Sequence, residues 1–120
     1  MSIRKILVGV DGSENSHIAL DFALDLSEKF NAAILILNVS KSPTRIAVPQ
    51  EPTAYSGAGM TAFAKELRKF HKETLSKAVA RAKAVKPNLT ISSILREGDP
   101  ALEIVNADKE DGFDVIVFWS

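Results

Sequence analysis

The sequence predicts an α/β protein built on an open, Rossmann-like parallel sheet. Two observations support this prediction. Short continuous apolar runs, each typical of a strand buried on both faces, alternate with amphipathic helical segments, and the order of these segments is β-α-β-loop-α-β-α-β. A length of 120 residues fits a single domain with one core, and we assign residues 1–120 to it.

The first three segments predict a βαβ unit. Ile6 to Val10 is an apolar run that ends at an Asp-Gly-Ser turn, and Ala32 to Val39 is a second such run. Between them, residues 13–30 show a helical apolar spacing, with Ser13 as N-cap and Asn31 as C-terminal stop. The predicted apolar face of this helix consists of Ile18, Ala19, Phe22, Ala23, Leu26 and Phe30. Parallel strands joined in this way need a right-handed crossover.

A long segment without periodicity follows the second strand. Residues 40–60 contain three of the five prolines, and they form either a functional lid or interaction segment or an insertion without a role. A helix is predicted from Thr61 to Lys86, and its apolar stripe consists of Phe63, Leu67, Phe70, Leu75, Ala78, Ala82 and Val85. Thr90 to Leu95 predicts a third strand, whose polarity indicates an edge position.

The last two segments are a short helix and a strand. Residues 97–100 form a turn that starts the helix, with Asp99 as N-cap and Pro100 at the first helical position, and the helix ends near Gly112. Its predicted apolar face consists of Ala101, Leu102, Ile104, Val105 and Ala107. Residues 115–119, VIVFW, predict a fourth buried strand.

Composition excludes several classes of function. The chain has no cysteine, which excludes disulfides, thiolate catalysis and cysteine-rich zinc sites, and two histidines cannot form a metal site alone. No apolar stretch approaches the roughly 18 residues of a membrane span, and the N-terminal apolar run is too short for a signal peptide. We therefore expect a cytoplasmic protein.

The charge pattern argues against nucleic acid and membranes as partners. Fifteen basic and fifteen acidic residues cancel, so no global field attracts either of them. Eight of the fifteen basic residues fall between Lys65 and Lys86. Such a basic amphipathic helix can bind acidic partners or membrane surfaces, or its basic side chains can simply face solvent. The zero net charge of the chain favours the second alternative, a solvated face.

Candidate site residues lie where the first strand ends. Ligands of open parallel sheets bind at the carboxyl ends of the strands, which places Asp11 and Gly12 in a candidate site. The Asp11 carboxylate is suited to accept hydrogen bonds from a base amino group or ribose hydroxyls, and Gly12 allows close backbone approach. The alternative for Asp11 is an Asx turn or an accessory helix cap.

The sequence predicts no catalytic residue. His17 and Asp21 form an i to i+4 pair that suits a surface hydrogen bond better than a catalytic dyad. His71 is predicted to face solvent. Ser13 has no evident base beside it for nucleophilic catalysis.

Four segments resemble those of the universal stress protein family, in the family's order. They are residues 5–14 (KILVGVDGSE), residues 37–39 (LNV), residues 97–104 (EGDPALEI) and residues 114–117 (DVIV). The family's variable loop matches residues 40–60. The resemblance implies the family's adenine nucleotide alpha hydrolase-like fold, a parallel sheet in the order 3-2-1-4-5. Here the order would be 3-2-1-4, with the usual fifth strand absent.

The resemblance also implies an adenine-nucleotide site. In nucleotide-binding members, the residue matching Asp11 contacts adenosine and the backbone of the residue matching Val39 contacts adenine. The implied cofactor-binding residues are Gly9, Val10, Asp11, Gly12 and Val39. The family holds the triphosphate on a Gly-x2-Gly-x9-Gly-Ser/Thr motif after strand four, and Trp119 stands where its first glycine is expected. We therefore expect weak or lost binding of ATP or another adenine nucleotide, with magnesium only if a triphosphate binds.

The resemblance implies a stress-response or signalling module with no catalytic role. One alternative is a nucleotide-independent dimerisation or protein-interaction module. Another is an ATPase or adenylyl-transfer enzyme, which the lack of a phosphate cradle, a magnesium ligand pair and an arginine clamp disfavours. Because the fourth strand is apolar and has an unpaired edge, the sequence predicts a homodimer or larger homo-oligomer that covers this strand and Trp119.

Overall fold

The computed structural model describes residues 2–40 and 58–118. Within these ranges the helices and strands are β1 Lys5–Gly9, α1 Glu14–Phe30, β2 Ala33–Ser40, α2 Ala58–Val85, β3 Ile91–Glu97, α3 Pro100–Asp111 and β4 Val115–Val117. All strand pairs are parallel, and the sheet order is β3-β2-β1-β4. The predicted fold class and strand order are confirmed, as is the edge position of β3.

The predicted loop and the predicted fourth strand differ in their bounds from the structure. Ser40 is the last residue of β2 and α2 begins at Ala58, so both ends of the predicted loop at 40–60 belong to regular elements. The rest of that loop, residues 41–57, lies outside the described residues. β4 is shorter than expected, since it ends before Phe118, and Trp119 also lies outside the described residues.

Short polar side chains set the helix starts as predicted. The Ser13 hydroxyl accepts the N–H of Ser16 at 3.1 Å, and the Asp99 carboxylate accepts the N–H of Leu102 at 3.0 Å. Both contacts satisfy N–H groups that the first helical turn leaves without a backbone acceptor. α1 ends where Asn31 adopts a left-handed conformation with φ 53°.

The sheet is covered unequally on its two faces. α1 and α2 pack on one face over a core of Ile6, Val8, Val10, Leu20, Ala23, Leu24, Ile34, Ile36, Leu75, Ala78 and Ala82. α3 packs on the other face, where the buried residues are Leu7, Leu37 and Ala107. The chain therefore leaves β1 towards one face and β3 towards the other, which places the topological switch point between β1 and β4.

The buried face of α1 matches the predicted one only in part, since Ala23 is buried and Leu26 packs against the core. Leu20, Ala23 and Leu24 are buried, whereas Ile18 is 67% exposed and Phe22 is 59% exposed. The small residues on the buried stripe allow the helix to lie close to the sheet, and they include Ser16 and Ser27. The helical spacing was predicted correctly. The prediction that Phe22 and Phe30 face the core is wrong, since both side chains are exposed.

The predicted apolar faces of α2 and α3 are only partly buried. The exposed members are Phe63, Phe70, Val85, Ala101, Leu102 and Val105. With 28 residues, α2 is about 42 Å long, whereas the eight residues of β2 span about 26 Å. The residues of α2 that are buried in the core, Leu75, Ala78 and Ala82, lie in its C-terminal half.

Candidate functional site

β2 extends past the end of β1 at the carboxyl edge of the sheet, so within the described residues its last part has no strand partner on the β1 side. The contact of β1 with β2 ends where the N–H of Val10 donates to the carbonyl of Leu37 at 2.9 Å. On the other side of β2, the carbonyl of Ser40 accepts the N–H of Gly98 at 2.9 Å. Because backbone groups of successive strand residues point to opposite sides, the N–H and C=O of Val39 point to the β1 side, beyond the end of β1.

Asp11 forms a tight turn directly after β1. Its Oδ1 accepts the N–H of Ser13 at 2.9 Å, which is an Asx turn, and the side chain is exposed. Partial burial acts to raise the pKa of Asp11, but hydrogen bonds from Ser13 and Ser16 outweigh it and hold this pKa below its usual value. The turn role is therefore observed. Contact with adenosine stays a prediction, and the exposed carboxylate is compatible with it.

Gly12 lies close to α2 in this turn. Its φ is 87°, and a Cβ at this position would lie 3.1 Å from Cγ2 of Thr74. Both the positive φ and the short distance favour glycine. Thr74 of α2 therefore lies against Gly12, and the close approach of a ligand to Gly12 stays a prediction.

His71 and Asn38 form a polar contact between α2 and β2. Nδ1 of His71 lies 2.9 Å from Oδ1 of Asn38, and Nδ2 of Asn38 donates to the carbonyl of His71 at 3.5 Å. A backbone carbonyl can only accept, so the amide nitrogen of Asn38 must face it, and Oδ1 then accepts from a protonated Nδ1. Burial lowers the pKa of His71, so at neutral pH the ring is neutral with its proton on Nδ1 and an acceptor at Nε2.

The prediction that His71 faces solvent is wrong. The imidazole is half-buried, and its partner Asn38 is 0% exposed. The sequence contained a signal for this position. His71 precedes Leu75 by four residues, and Leu75, Ala78 and Ala82 form the buried stripe of α2, so His71 continues that stripe by one turn.

Gly9 and Val10 lie at the same edge but face the protein interior. A Cβ at Gly9 would lie 3.5 Å from Cβ of Phe118 and 3.7 Å from Cδ1 of Ile104. The Val10 side chain is 7% exposed and packs in the core below α1 and α2. Any contact of Val10 with a ligand would therefore be made by its backbone.

Three acidic residues lie at or near the beginning of α1, two of them at its start and Asp21 about two turns later. Asp11 and Glu14 are exposed there, and Glu14 lies in the first turn. Asp21 binds Arg81 of α2 through two hydrogen bonds of 3.0 and 2.7 Å, which lower the pKa of Asp21. Arg81 thus takes the place that the sequence assigned to His17 as hydrogen-bond partner of Asp21. Two exposed carboxylates make this helix start unfavourable for a phosphate group.

Residues 2–40 and 58–118 contain no group of three histidine or acidic side chains arranged to hold a metal ion. In the same ranges, no helix combines the length and the apolar character needed to cross a bilayer.

The chain is similar in sequence and in fold to members of the universal stress protein family. The model of the universal stress protein family matches residues 2–120. Universal stress protein YxiE of Bacillus subtilis (strain 168) is 32% identical over 118 residues, which are 97% of this chain and 78% of YxiE.

Solved structures of the family share the fold. A universal stress protein family member from Burkholderia pseudomallei has a TM-score of 0.76 at 24% identity, with 98% of this chain and 82% of that chain covered. A universal stress protein in complex with cAMP has a TM-score of 0.68 at 24% identity, with coverage of 98% and 76%. The universal stress protein from Archaeoglobus fulgidus in complex with dAMP has a TM-score of 0.61 at 21% identity, with coverage of 98% and 82%. Together with the family match over residues 2–120, these likenesses show that the chain belongs to the universal stress protein family.

Proposed function

We propose that this stress-response protein is a binding module that takes an adenine nucleotide through its adenosine portion, at the carboxyl ends of β1 and β2. The solved family members in complex with cAMP and dAMP support the ligand class. Those two ligands have in common an adenine base, a pentose and a single phosphate. The proposal assigns no catalytic step to the chain, and cytoplasmic location stays a prediction.

The orientation of the Val39 backbone carries this proposal. Its N–H and C=O point to the same side of β2, into the space beyond the end of β1. The Watson–Crick edge of adenine presents an acceptor at N1 next to a donor at N6, and it is the complement of one N–H and one C=O side by side. A base in this space would form hydrogen bonds with the backbone of β2 at the position that a longer β1 would occupy.

Asp11 supplies the second contact in this proposal. Its carboxylate is exposed at the turn after β1 and is ionised at neutral pH, since its pKa lies below the usual value. Ribose hydroxyls donate to such an acceptor. α2 lies next to both strand ends, with His71 in contact with Asn38 and Thr74 close to Gly12.

The charges at the start of α1 predict the order of affinities. Asp11 and Glu14 disfavour a triphosphate beside them, so adenosine and monophosphates should bind at least as tightly as ATP. Binding is expected to be weak, and magnesium matters only if a triphosphate binds.

Calorimetry with adenosine, AMP, cAMP and ATP tests the proposal, combined with the Val39→Pro and Val39→Ala variants. Proline removes the N–H that we assign to adenine while leaving the pairing of Ser40 with β3, whereas alanine keeps the backbone unchanged. We expect binding in the wild type and in Val39→Ala, and loss in a folded Val39→Pro variant. Equal binding in both variants contradicts the proposal. No binding of any of the four compounds favours a nucleotide-independent interaction module, and turnover of ATP favours an enzyme.

We further propose that the chain forms a homo-oligomer through β4 and the neighbouring face of α1. Within the described residues β4 pairs with β1 alone, and the apolar side chains beside it are unusually exposed. Phe118 is 55% exposed, and Ile18 and Phe22 border a hollow of ≈ 300 Å³ next to Val117. Apolar surface concentrated in this way is typical of an interface.

Light scattering after size exclusion tests this assembly. We expect a mass above that of the monomer for the wild type, and a lower mass for Val117→Lys and Phe22→Glu. Phe63→Glu is the matched control, because Phe63 is an exposed phenylalanine on α2 rather than on α1. A monomeric wild type at tens of micromolar contradicts the proposal.

A further inference from the structure

A groove runs between α2 and β3, on the sheet edge opposite to β4. Its volume is ≈ 640 Å³, and residues that line it are Lys72, Leu75, Val79, Lys83, Ser93 and Leu95. We refer to it as the β3–α2 groove. Leu75 and Leu95 belong to or pack against the core, so the floor of the groove is apolar.

The backbone of β3 faces this groove along its open edge. The carbonyl of Thr90 and the N–H of Gly98 both bond to β2, at 3.0 and 2.9 Å. By alternation, the even-numbered residues of β3 point their backbone groups to β2. The N–H and C=O groups that point outward belong to Ile91, Ser93, Leu95 and Glu97. This edge offers four sites at which a further strand can pair.

β3 itself carries little that blocks such pairing. Natural edge strands are protected by short length, proline, bulges or charged side chains. β3 has seven residues without proline, and its register with β2 is continuous over seven pairs. On the side facing α2 it presents Ile91, Ser93 and Leu95, which are uncharged, and Glu97 at its end, which is paired with Arg68.

Positive charge lines the rim of the groove. α2 contains seven basic and two acidic residues. Arg68 and Arg81 form ion pairs with Glu97 and Asp21. Lys72 and Lys83 are exposed, and within the described parts of the chain neither forms an ion pair. Eleven residues apart on a helix, they point in directions that differ by only about 20°.

We propose that the β3–α2 groove binds an extended acidic segment of a partner protein, which pairs with the open edge of β3. The two lysines are about 16 Å apart along the helix, which corresponds to about five residues of a strand. Acidic side chains four or six residues apart, which lie on one face of an extended segment, would reach Lys72 and Lys83. Apolar side chains between them would contact the floor at Leu75 and Val79.

Charge disfavours a second copy of this chain as the occupant. Pairing of two β3 edges around a two-fold axis would bring two α2 helices together, and each of them carries more basic than acidic side chains. Like charges facing each other are destabilising. An acidic segment is instead complementary in charge, and it supplies the backbone groups that β3 can pair with.

The test uses a fluorescein-labelled seven-residue peptide with glutamate at its first and fifth positions, valine at its third and seventh, and threonine elsewhere. A second peptide has lysine in place of glutamate. Fluorescence anisotropy should show binding of the acidic peptide only, and this binding should weaken as salt increases. The double variant Lys72→Glu with Lys83→Glu should lower the affinity by about tenfold or more. The matched control is Lys77→Glu with Lys109→Glu, which changes two exposed lysines outside the groove by the same charge.

Ser93→Pro separates strand pairing from simple charge attraction. The N–H of Ser93 points to the open edge, so proline removes a donor to the peptide without removing a bond to β2. A folded Ser93→Pro variant should lose the peptide. Retained binding in this variant, or no binding of the acidic peptide up to millimolar concentration, overturns the proposal. Binding of phosphatidylserine vesicles through Lys72 and Lys83, without binding of the peptide, also overturns the proposal. So does self-association of the wild type that is lost in Ser93→Pro, because the edge of β3 would then pair with a second copy of the chain.

Discussion

Nδ1 of His71 lies 2.9 Å from Oδ1 of Asn38, and this contact joins α2 to β2 beside the residue whose backbone we assign to adenine. Asn38 is fully buried, and its amide also reaches the carbonyl of His71. The pair therefore fixes the side-chain orientation of both residues and the position of α2 above the carboxyl edge of the sheet.

Replacement of Asn38 by alanine should destabilise the fold. The variant removes a buried acceptor, leaves the proton on Nδ1 of His71 without its partner and opens a small cavity. We expect a decrease of about 1–3 kcal/mol in the free energy of unfolding, measured by urea denaturation. Asn15→Ala is the control, because Asn15 is exposed on α1. An equal effect of both substitutions would show that the Asn38 contact adds nothing.

His71 should make stability depend on pH. Since burial lowers its folded pKa, the unfolded chain binds more protons between that pKa and the ordinary value of about 6.5. The free energy of unfolding should thus be highest above about pH 6.5, fall as the pH decreases to the folded pKa, and level off below it. His71→Gln should flatten this part of the profile of urea midpoints against pH, whereas Asn15→Ala, which changes an exposed residue that does not titrate, should not. An unchanged slope in His71→Gln would contradict this assignment.

Gly12→Ala should destabilise the turn after β1. Alanine is strained at a φ of 87°, and its Cβ would lie 3.1 Å from Cγ2 of Thr74. We expect a loss of about 1–3 kcal/mol in thermal or urea unfolding. Thr74→Ser in the same chain removes Cγ2 and should restore part of that loss. If the second substitution restores nothing, the cost is entirely backbone strain and the contact with α2 is unimportant.

Asp11→Ala should abolish adenosine binding with only a small effect on stability. The carboxylate is exposed and contributes one turn hydrogen bond, so the change in unfolding free energy should stay below about 1 kcal/mol. Asp11→Asn separates the two roles, because an amide oxygen still accepts the N–H of Ser13 but carries no charge. Calorimetry should show weaker adenosine binding in Asp11→Asn at unchanged stability. A large loss of stability in the alanine variant would instead make Asp11 a structural cap.

Local signals allowed most of the fold to be predicted from the sequence. Ser13, Asn31 and Asp99 end or begin helices as expected, because each acts on backbone groups within one turn. The choice of buried helix face was not local. α1 has two overlapping apolar stripes, and only contact with the sheet selects the one with Leu20 over the one with Phe22.

The candidate site was predictable where it depends on strand ends and not where it depends on α2. Asp11 and Val39 were predicted as site residues because each lies near the end of a strand and matches a position in the family's pattern. His71 and Thr74 lie more than 30 residues from Asn38 and Gly12 along the chain, and the crossing of α2 over the sheet brings them together. One helical period linked His71 to Leu75, but no local pattern identified its partner.

The two edges of this sheet are held very unequally, and this has a consequence for the order in which the chain folds and opens. β3 is joined to β2 by seven residue pairs, whereas β4 is joined to β1 by three, and the partners Ile6 and Val115 stand near opposite ends of the chain. β4 can dock only after β1 has paired with β2, because the contacts between β4 and β1 join the residues that are farthest apart in the sequence. Once formed, it is held by three pairs and by the Asp114 carboxylate, which accepts the N–H groups of Arg4 and Lys5. We therefore expect β4 to be the last strand added in folding and the first to detach in local opening. When β4 detaches, Val117 moves away from Phe22 and their shared apolar surface is lost, and it forms again when β4 docks.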